Sequence, residues 1–419
     1  MAYSSIDGQG DHMNKKYIEG YAKLVLAKGV NLRKGQSVMI KTGPGTYQFA
    51  RELAKTAYRM GALHVEIALD DLDILAARLA SQDAAQVQRS PSYARMIDYE
   101  MVSEDWAFIR IDSTEERLDH APFDAESYAR YQHAASIEHD TIQNKRMRHQ
   151  LAWCVICAPG PRWAKQVLGD TATEDDLWDE IAPILLLDTQ DPCKAWDDHD
   201  AIVKPRVAKL NGLGIRKLHF ISPITDLKIG FRPEHVWKGG SKLLPDGRPN
   251  ICNLPTEEIF TVPDMYDVEG HVTTTRPVPV MNTLTESVRF TFRKGQVVDC
   301  TAKQGLGVLE RFLQIDAGSS RLGECALVDE TSPIARSRKI FNSILFDENA
   351  SCHLALGMGY PDSLANGGSL VSDEQLHQFG CNTSLNHTDF MVGSDDTDIV
   401  ALCADGKEVR IMKNGRFCF

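Results

Sequence analysis

The stretch from Ser37 to Leu69 limits the fold more than any other part of this chain. Ser37 to Thr42 reads as a strand, Gly43-Pro44-Gly45 as a turn, Tyr47 to Met60 as a helix and His64 to Leu69 as a second strand. Strands joined through a helix pair in parallel by a right-handed crossover, so the chain opens as an α/β sheet. Further strands are expected at Trp106 to Ile111, Leu151 to Ala158 and Lys217 to Ile221. Helices separate them at Ser127 to Asn144, Pro161 to Leu168, Glu174 to Leu186 and Ala195 to Leu210, and Pro183 and Pro205 should break or kink the last two. Ahead of this unit, Tyr17, Tyr21, Leu24 and Val25 recur at helical spacing and Gly29 stops the pattern. Structure should begin near Asn14, because Met1 to His12 is polar and reads as a flexible extension.

After about Gly230 the texture changes to turns and short strands. The alternation from Ser287 to Phe292 before Arg293-Lys294-Gly295-Gln296 reads as a hairpin, as does Val409 to Met412 beyond Asp405-Gly406. Helices at Gly305 to Leu313 and Ile334 to Phe341 interrupt this half. The fold class is therefore an α/β N-terminal domain with a mostly parallel sheet, 14–235, and a β-rich α+β C-terminal domain, 236–419. A length of 419 residues suits two cores better than one.

Forty-six Lys and Arg against 58 Asp and Glu leave a net charge of −12, which disfavours nucleic acid or an anionic membrane as the main partner. No apolar run reaches the length of a membrane span, and the first residues lack the basic-then-apolar order of a secretion signal, so a cytoplasmic location is expected. The ten cysteines then read as small buried hydrophobes. Cys154 and Cys157 have the spacing of a zinc knuckle, but they lie in an apparent buried strand and no second pair completes a four-thiolate site. His120, His133, His139 and His149 sit among charged residues at no ligand-like spacing and read as a solvated helix face. Gly43-Pro44-Gly45 before a helix could cradle a phosphate, but it lacks the third glycine of a dinucleotide fingerprint and the Gly-Lys-Ser/Thr of a P-loop, so a plain turn is the reading.

The chemistry concentrates in the second half. Glu258, Glu324, His353, His387 and Asp389 lie in or beside short apolar runs, where an ionised group is costly unless it is paired or coordinates a metal. Mixed nitrogen and oxygen donors with a carboxylate able to bridge suit a pair of divalent ions. His387 and Asp389, two apart, share a face if extended. Taken singly, each is an ordinary polar residue, and there is no His-Glu-x-x-His helix motif.

Three longer stretches carry more: Asn253-Leu254-Pro255-Thr256-Glu257-Glu258-Ile259-Phe260, Asp347-Glu348-Asn349-Ala350-Ser351-Cys352-His353-Leu354-Ala355-Leu356-Gly357 and Asn386-His387-Thr388-Asp389-Phe390-Met391. On them the chain, from Asn14 to Phe419, resembles the metallo-aminopeptidase family of aminopeptidase T and aminopeptidase S. The resemblance implies an exopeptidase with two divalent metals in the C-terminal half, held by Glu258, Glu324, His353, His387 and Asp389. It makes Glu324 the bridging carboxylate, Tyr360 the active-site tyrosine and Glu258 rather than Glu257 the ligand. It also implies a homodimer acting on short peptides.

Metal-assisted hydrolysis fits these residues, with Tyr360 hydrogen-bonding the oxyanion and Glu258 or Glu348 sharing the proton transfer. Zn, Co, Mn and Mg all tolerate such ligands, so the residues do not choose among them. Two rival readings are a phosphate- or nucleotide-binding enzyme built on Gly43-Pro44-Gly45 and a binding protein with a purely structural metal site.

Overall fold

The computed structural model describes residues 11–118, 124–281, 283–370 and 372–419. Of the expected Met1 to His12 extension, Met1 to Gly10 lies outside them, as does His120 of the expected solvated face, while Asp11 and His12 open a helix. The first helix, Asp11–Leu24, runs on through a π-helical turn, Val25–Gly29, and ends where Gly29 was expected to stop it.

The parallel sheet holds five strands in the order Asn253–Leu254, Trp153–Ile156, Ala107–Ile111, Val38–Thr42, Val65–Leu69. Every neighbouring pair is parallel. Val38–Thr42 joins Val65–Leu69 through the helix Tyr47–Arg59, the crossover unit read from the sequence. Val38, Ile40, Ile109 and Ile156 are buried against Leu53, Trp163 and Trp178 of the covering helices, as sheets clad on both faces require.

Two antiparallel sheets make up most of the rest. One has eight strands and includes the hairpins Arg289–Arg293/Gln296–Thr301 and Asp398–Cys403/Glu408–Lys413. The other has five, in the order His387–Met391, His353–Gly357, Leu322–Leu327, Ile259–Thr261, Lys238–Gly239. They share one core, in which the rings of Phe290 and Phe390 meet edge to face at 5.0 Å. No helix among the described residues is long and apolar enough to cross a membrane.

Several local expectations are corrected. Lys217 to Ile221, read with the parallel strands, belongs to Ile215–Ser222 of the eight-stranded sheet and pairs antiparallel with Thr225–Gly230 and Asp398–Cys403. Leu218 and Phe220 are buried while Lys217 and His219 are not, the alternation of a strand covered on one face only. Ser127 to Asn144 is two helices, Ala125–Glu138 and Asp140–Met147, broken at His139, whose Nδ1 lies 2.6 Å from Asp98. Pro205 does not end its helix, which runs Pro192–Gly212. The helix at Ile334 is short, Pro333–Ser337, because Arg338 takes a left-handed φ of 55°. Three helices between Leu72 and Ser103 escaped the periodicity, although Asp71 and Asp83 cap two of them and were legible as cap residues.

Histidines and cysteines divide similarly. His133 and His139 are exposed, but His149 is buried, and burial pushes its pKa down to about 4. Its Nδ1 lies 3.5 Å from Cys252 Sγ. Cys154 and Cys157 are free, fully buried thiols within the parallel-sheet core.

The Gly-Pro-Gly turn is already filled by an anion from the chain itself. The Gly45 amide donates to Glu116 Oε1 at 3.0 Å, and a Cβ on Gly43 would collide with that carboxylate. Glu115 occupies a second helix N-terminus, accepting from the amides of Arg162 and Trp163 at 3.0 and 2.8 Å. These carboxylates stand where a phosphate would bind. Removing Glu115 leaves two amides without their acceptor, so Glu115→Ala should lower unfolding free energy by about 1–3 kcal/mol. Urea denaturation checks this, and an unchanged midpoint would mean that the capping is energetically idle.

Candidate metal centre

The five-stranded antiparallel sheet gathers the candidate ligands by register. Glu324 stands opposite Ala355, and Ala355 opposite Asp389, so Glu324 and Asp389 project from the same face. His353 and His387 lie two residues before Ala355 and Asp389, which returns them to that face. Glu258 precedes Phe260 by two, and Phe260 pairs with Ala326, two beyond Glu324. The alternate residues, among them Cys325, Leu327, Leu354, Leu356 and Phe390, fill the core behind. One face is therefore hydrophobic and the other carries the acids and imidazoles.

The distances tie these side chains together. His353 Nε2 lies 3.0 Å from Glu258 Oε2 and 3.4 Å from Glu324 Oε1. The other Glu324 oxygen lies 3.8 Å from His387 Nε2, which is 3.4 Å from Asp389 Oδ1. Glu258, Glu324 and His353 offer ligand atoms within 4.8 Å of one another, and all three residues are at most 6% exposed. Each imidazole has its Nδ1 within reach of a backbone carbonyl, His353 with Glu348 at 3.0 Å and His387 with Met358 at 2.7 Å. An N–H at Nδ1 donates to that carbonyl and leaves the Nε2 lone pair facing the carboxylates, the tautomer a metal ligand needs.

The donor set fits a divalent ion. Among the described residues, His353 Nε2 and Asp389 Oδ1 are buried without a hydrogen-bond partner. Their short approaches to neighbouring groups therefore converge on common space rather than pairing off as hydrogen bonds. Burial, with Glu258 and Asp389 nearby, pushes Glu324 up to about 7. Glu348 is driven well above the usual carboxylate range by burial and then by Asp389. Burial works against charge on His387, but Asp389 raises it to about 9. A cluster of carboxylates this deep calls for a cation, and oxygen with imidazole nitrogen suits a borderline or hard divalent metal.

The acidic face lines a pocket with ≈ 500 Å³ of empty space, counted to its open mouth. Glu258, Glu324, His387 and Asp389 line it, and His353 reaches the group from below through its contacts with the two glutamates. Tyr360 lies over the pocket, its ring 5.3 Å from that of His387 and edge-on to it. Glu257 points elsewhere, 3.7 Å from His199 Nε2, so Glu258 is the one facing the site. Glu348, named from sequence only for proton transfer, also lines the pocket. Sequence reading missed Trp153, Lys242 and Cys252, which complete the wall. Trp153 is contributed by the parallel sheet, and nothing local in these residues marks them as site-forming.

Comparison with known proteins assigns the family. A family model for the thermophilic metalloproteases (M29) matches residues 14–417. Aminopeptidase 2 of Geobacillus stearothermophilus is 34% identical over 415 residues, covering 97% of this chain and 98% of the relative. Aminopeptidase T of Thermus thermophilus is 33% identical over 407 residues, covering 96% and 98%. The solved structure of wild-type AmpT from Thermus thermophilus superposes with a TM-score of 0.86 at 32% identity, covering 97% of this chain and all of that one. With a buried Glu258, Glu324 and His353 group in its antiparallel sheet and a match along nearly its whole length, the chain belongs to the M29 family of thermophilic metalloproteases.

Proposed function

We propose that in this M29 metalloprotease, a metal-dependent aminopeptidase, Glu258, Glu324, His353, His387 and Asp389 would hold two divalent ions, with Glu324 the carboxylate placed to serve both. The observation that carries the reading is that the two oxygens of Glu324 face different imidazoles, Oε1 toward His353 and Oε2 toward His387. Zinc, cobalt, manganese or magnesium would each accept these donors. When bound there, such ions supply Lewis acidity toward the scissile carbonyl and acidify water.

The chain's own residues do the rest. The carboxylates at the pocket floor attract the α-ammonium of a peptide. Glu348, which lines the pocket outside the proposed ligand set, is the proton carrier: as the carboxylate, the form that nearby cations would favour, it takes the proton from the attacking water and, as the acid, returns it to the leaving amine. Tyr360 donates its O–H to the carbonyl oxygen as negative charge grows there. Burial and the nearby Glu324 and Asp389 hold its phenol protonated, so it remains a donor across the working range. Both rival readings lose their footing. The Gly43-Pro44-Gly45 turn is occupied by Glu116, and a structural site closed by thiolates would not be oxygen-rich and open to a pocket.

The same reading carries short peptides as substrates, a cytoplasmic location and a homodimer. Ile74, Tyr93, Met96 and Tyr99, large side chains exposed on the helices between 72 and 103, support a contact face there. Light scattering at working concentration should return twice the 46.7 kDa of one chain, and the mass of a single chain in an active preparation would sink the dimer.

His387→Ala and Asp389→Ala should each abolish hydrolysis of aminoacyl substrates and lower bound metal while leaving the circular dichroism spectrum unchanged. Full metal content with near-normal turnover would remove both residues from the centre. Tyr360→Phe should keep its metal and lose about 10²-fold or more in kcat, the usual scale for deleting one oxyanion donor. Wild-type turnover in that variant would assign the ring to packing against Phe260 and His387 alone.

A further inference from the structure

The pocket carries charges of both signs: Glu258, Glu324, Glu348 and Asp389 line it, and so does Lys242. Lys242 Nζ lies 5.4 Å from the ring centre of Phe260 and 5.7 Å from that of Tyr360, and it donates to Asp362 Oδ2 at 3.0 Å. No other acceptor engages it among the described residues, which leaves two ammonium hydrogens for the pocket. The Lys242–Asp362 pair is neutral, but a second cation stands close by. The Arg146 guanidinium lies 4.6 Å over the ring of Phe108 and 5.4 Å from that of Trp153, which lines the pocket. Arg146 makes no ion pair among the described residues: Arg110 and the carboxylate of Asp98 are within electrostatic reach, but Asp98 lies 2.6 Å from His139 Nδ1 instead, and the Arg146 Nε is buried without a hydrogen bond. In a chain of net charge −12, a guanidinium clamped by two aromatic rings and left without an acid is unused capacity to bind an anion.

We propose that Lys242, backed by the charge of Arg146, anchors the α-carboxylate of a short peptide whose α-ammonium lies toward the buried acids. The enzyme would then select di- and tripeptides with a free C terminus. The spacing suits this: the ammonium is one step of 5.7 Å from the Tyr360 ring, which is a second step of 5.3 Å from the His387 ring. Together those steps span no more than two or three extended residues at about 3.3–3.6 Å each. This inference rests on the aminopeptidase reading and extends it to the far end of the substrate. Lys242 and Arg146 act here as substrate-positioning groups, with no part in bond cleavage.

The test compares leucyl-leucine with its C-terminal amide, using metal-loaded wild type and the Lys242→Met, Lys242→Arg and Arg146→Met variants. Wild type should prefer the free acid by about tenfold or more in kcat/KM, carried mainly by KM, as the loss of one charged hydrogen bond implies. Lys242→Met and Arg146→Met should bring that ratio toward one, and Lys242→Arg should restore most of it. A wild-type ratio near one, or a ratio unmoved in folded Lys242→Met and Arg146→Met, overturns the anchor while leaving the aminopeptidase reading in place. Cleavage of neither substrate overturns both. Because Lys242→Met leaves Asp362 buried without its partner, it could fail to fold. The wild-type ratio and Arg146→Met then decide the matter on their own.

Discussion

Burying like charges together is the constraint on which this structure turns. Four carboxylates, of Glu258, Glu324, Glu348 and Asp389, line one pocket with the imidazole of His387, and the imidazole of His353 meets Glu258 and Glu324 from below. Each ionised group withdrawn from water costs several kcal/mol even after the protein relaxes, and mutual repulsion adds to that cost. Two imidazoles cannot neutralise four acids, and the carboxyls of Glu324 and Glu348 are raised first by burial and further by their acidic neighbours. A bound metal cation would relieve this excess of acid, so the polar cluster that burdens the apoprotein is the same feature that suits it to hold metal.

Such a cluster holds its shape only if its support is stiff. The antiparallel sheet supplies that stiffness, because each ligand-bearing strand is hydrogen-bonded to the next and backed by the shared core of two sheets. Glu324 and His353 sit in the interior of the sheet and not on flexible loops, which fixes the direction of their side chains. The backbone carbonyls of Glu348 and Met358 then set the two imidazoles, so the orientation of each ring is built in before any ion arrives.

The parallel sheet contributes differently. In an open α/β sheet, ligands usually bind beyond the carboxyl ends of the strands, near helix N-termini. Here Glu115 and Glu116 satisfy the amides at two such termini from within the chain. The first half has instead become a wall: Trp153 from its sheet lines the metal pocket, and the short strand Asn253–Leu254 ties the loop leading to Glu258 onto that sheet. Substrate thus meets an acidic, metal-binding floor from one half of the molecule and an aromatic, partly cationic wall to which both halves contribute.

What could be read without coordinates was what short-range physics controls. The unit from Val38 to Leu69, both hairpins and the helix Pro161–Leu168 follow from periodicity, turn residues and a proline at a helix start. His387 and Asp389 share a face because alternation on a strand needs no tertiary information. The choice of Glu258 over Glu257 came from the family resemblance, and in the structure Glu258 keeps step with Phe260. Register across strands was decided elsewhere, and so were the fate of Lys217 to Ile221, the burial of His149 and the seats of Lys242 and Arg146. Each depends on contacts between residues far apart in sequence, where a local pattern permits several partners and only packing selects one. By itself the sequence determined which residues carry metal-compatible donors and that His387 and Asp389 share a face; the grouping of the five came from the family resemblance. Tertiary structure alone decided that they converge, because bringing five separated side chains within a few ångströms takes a common sheet, and the pairing of its strands is a property of the whole core.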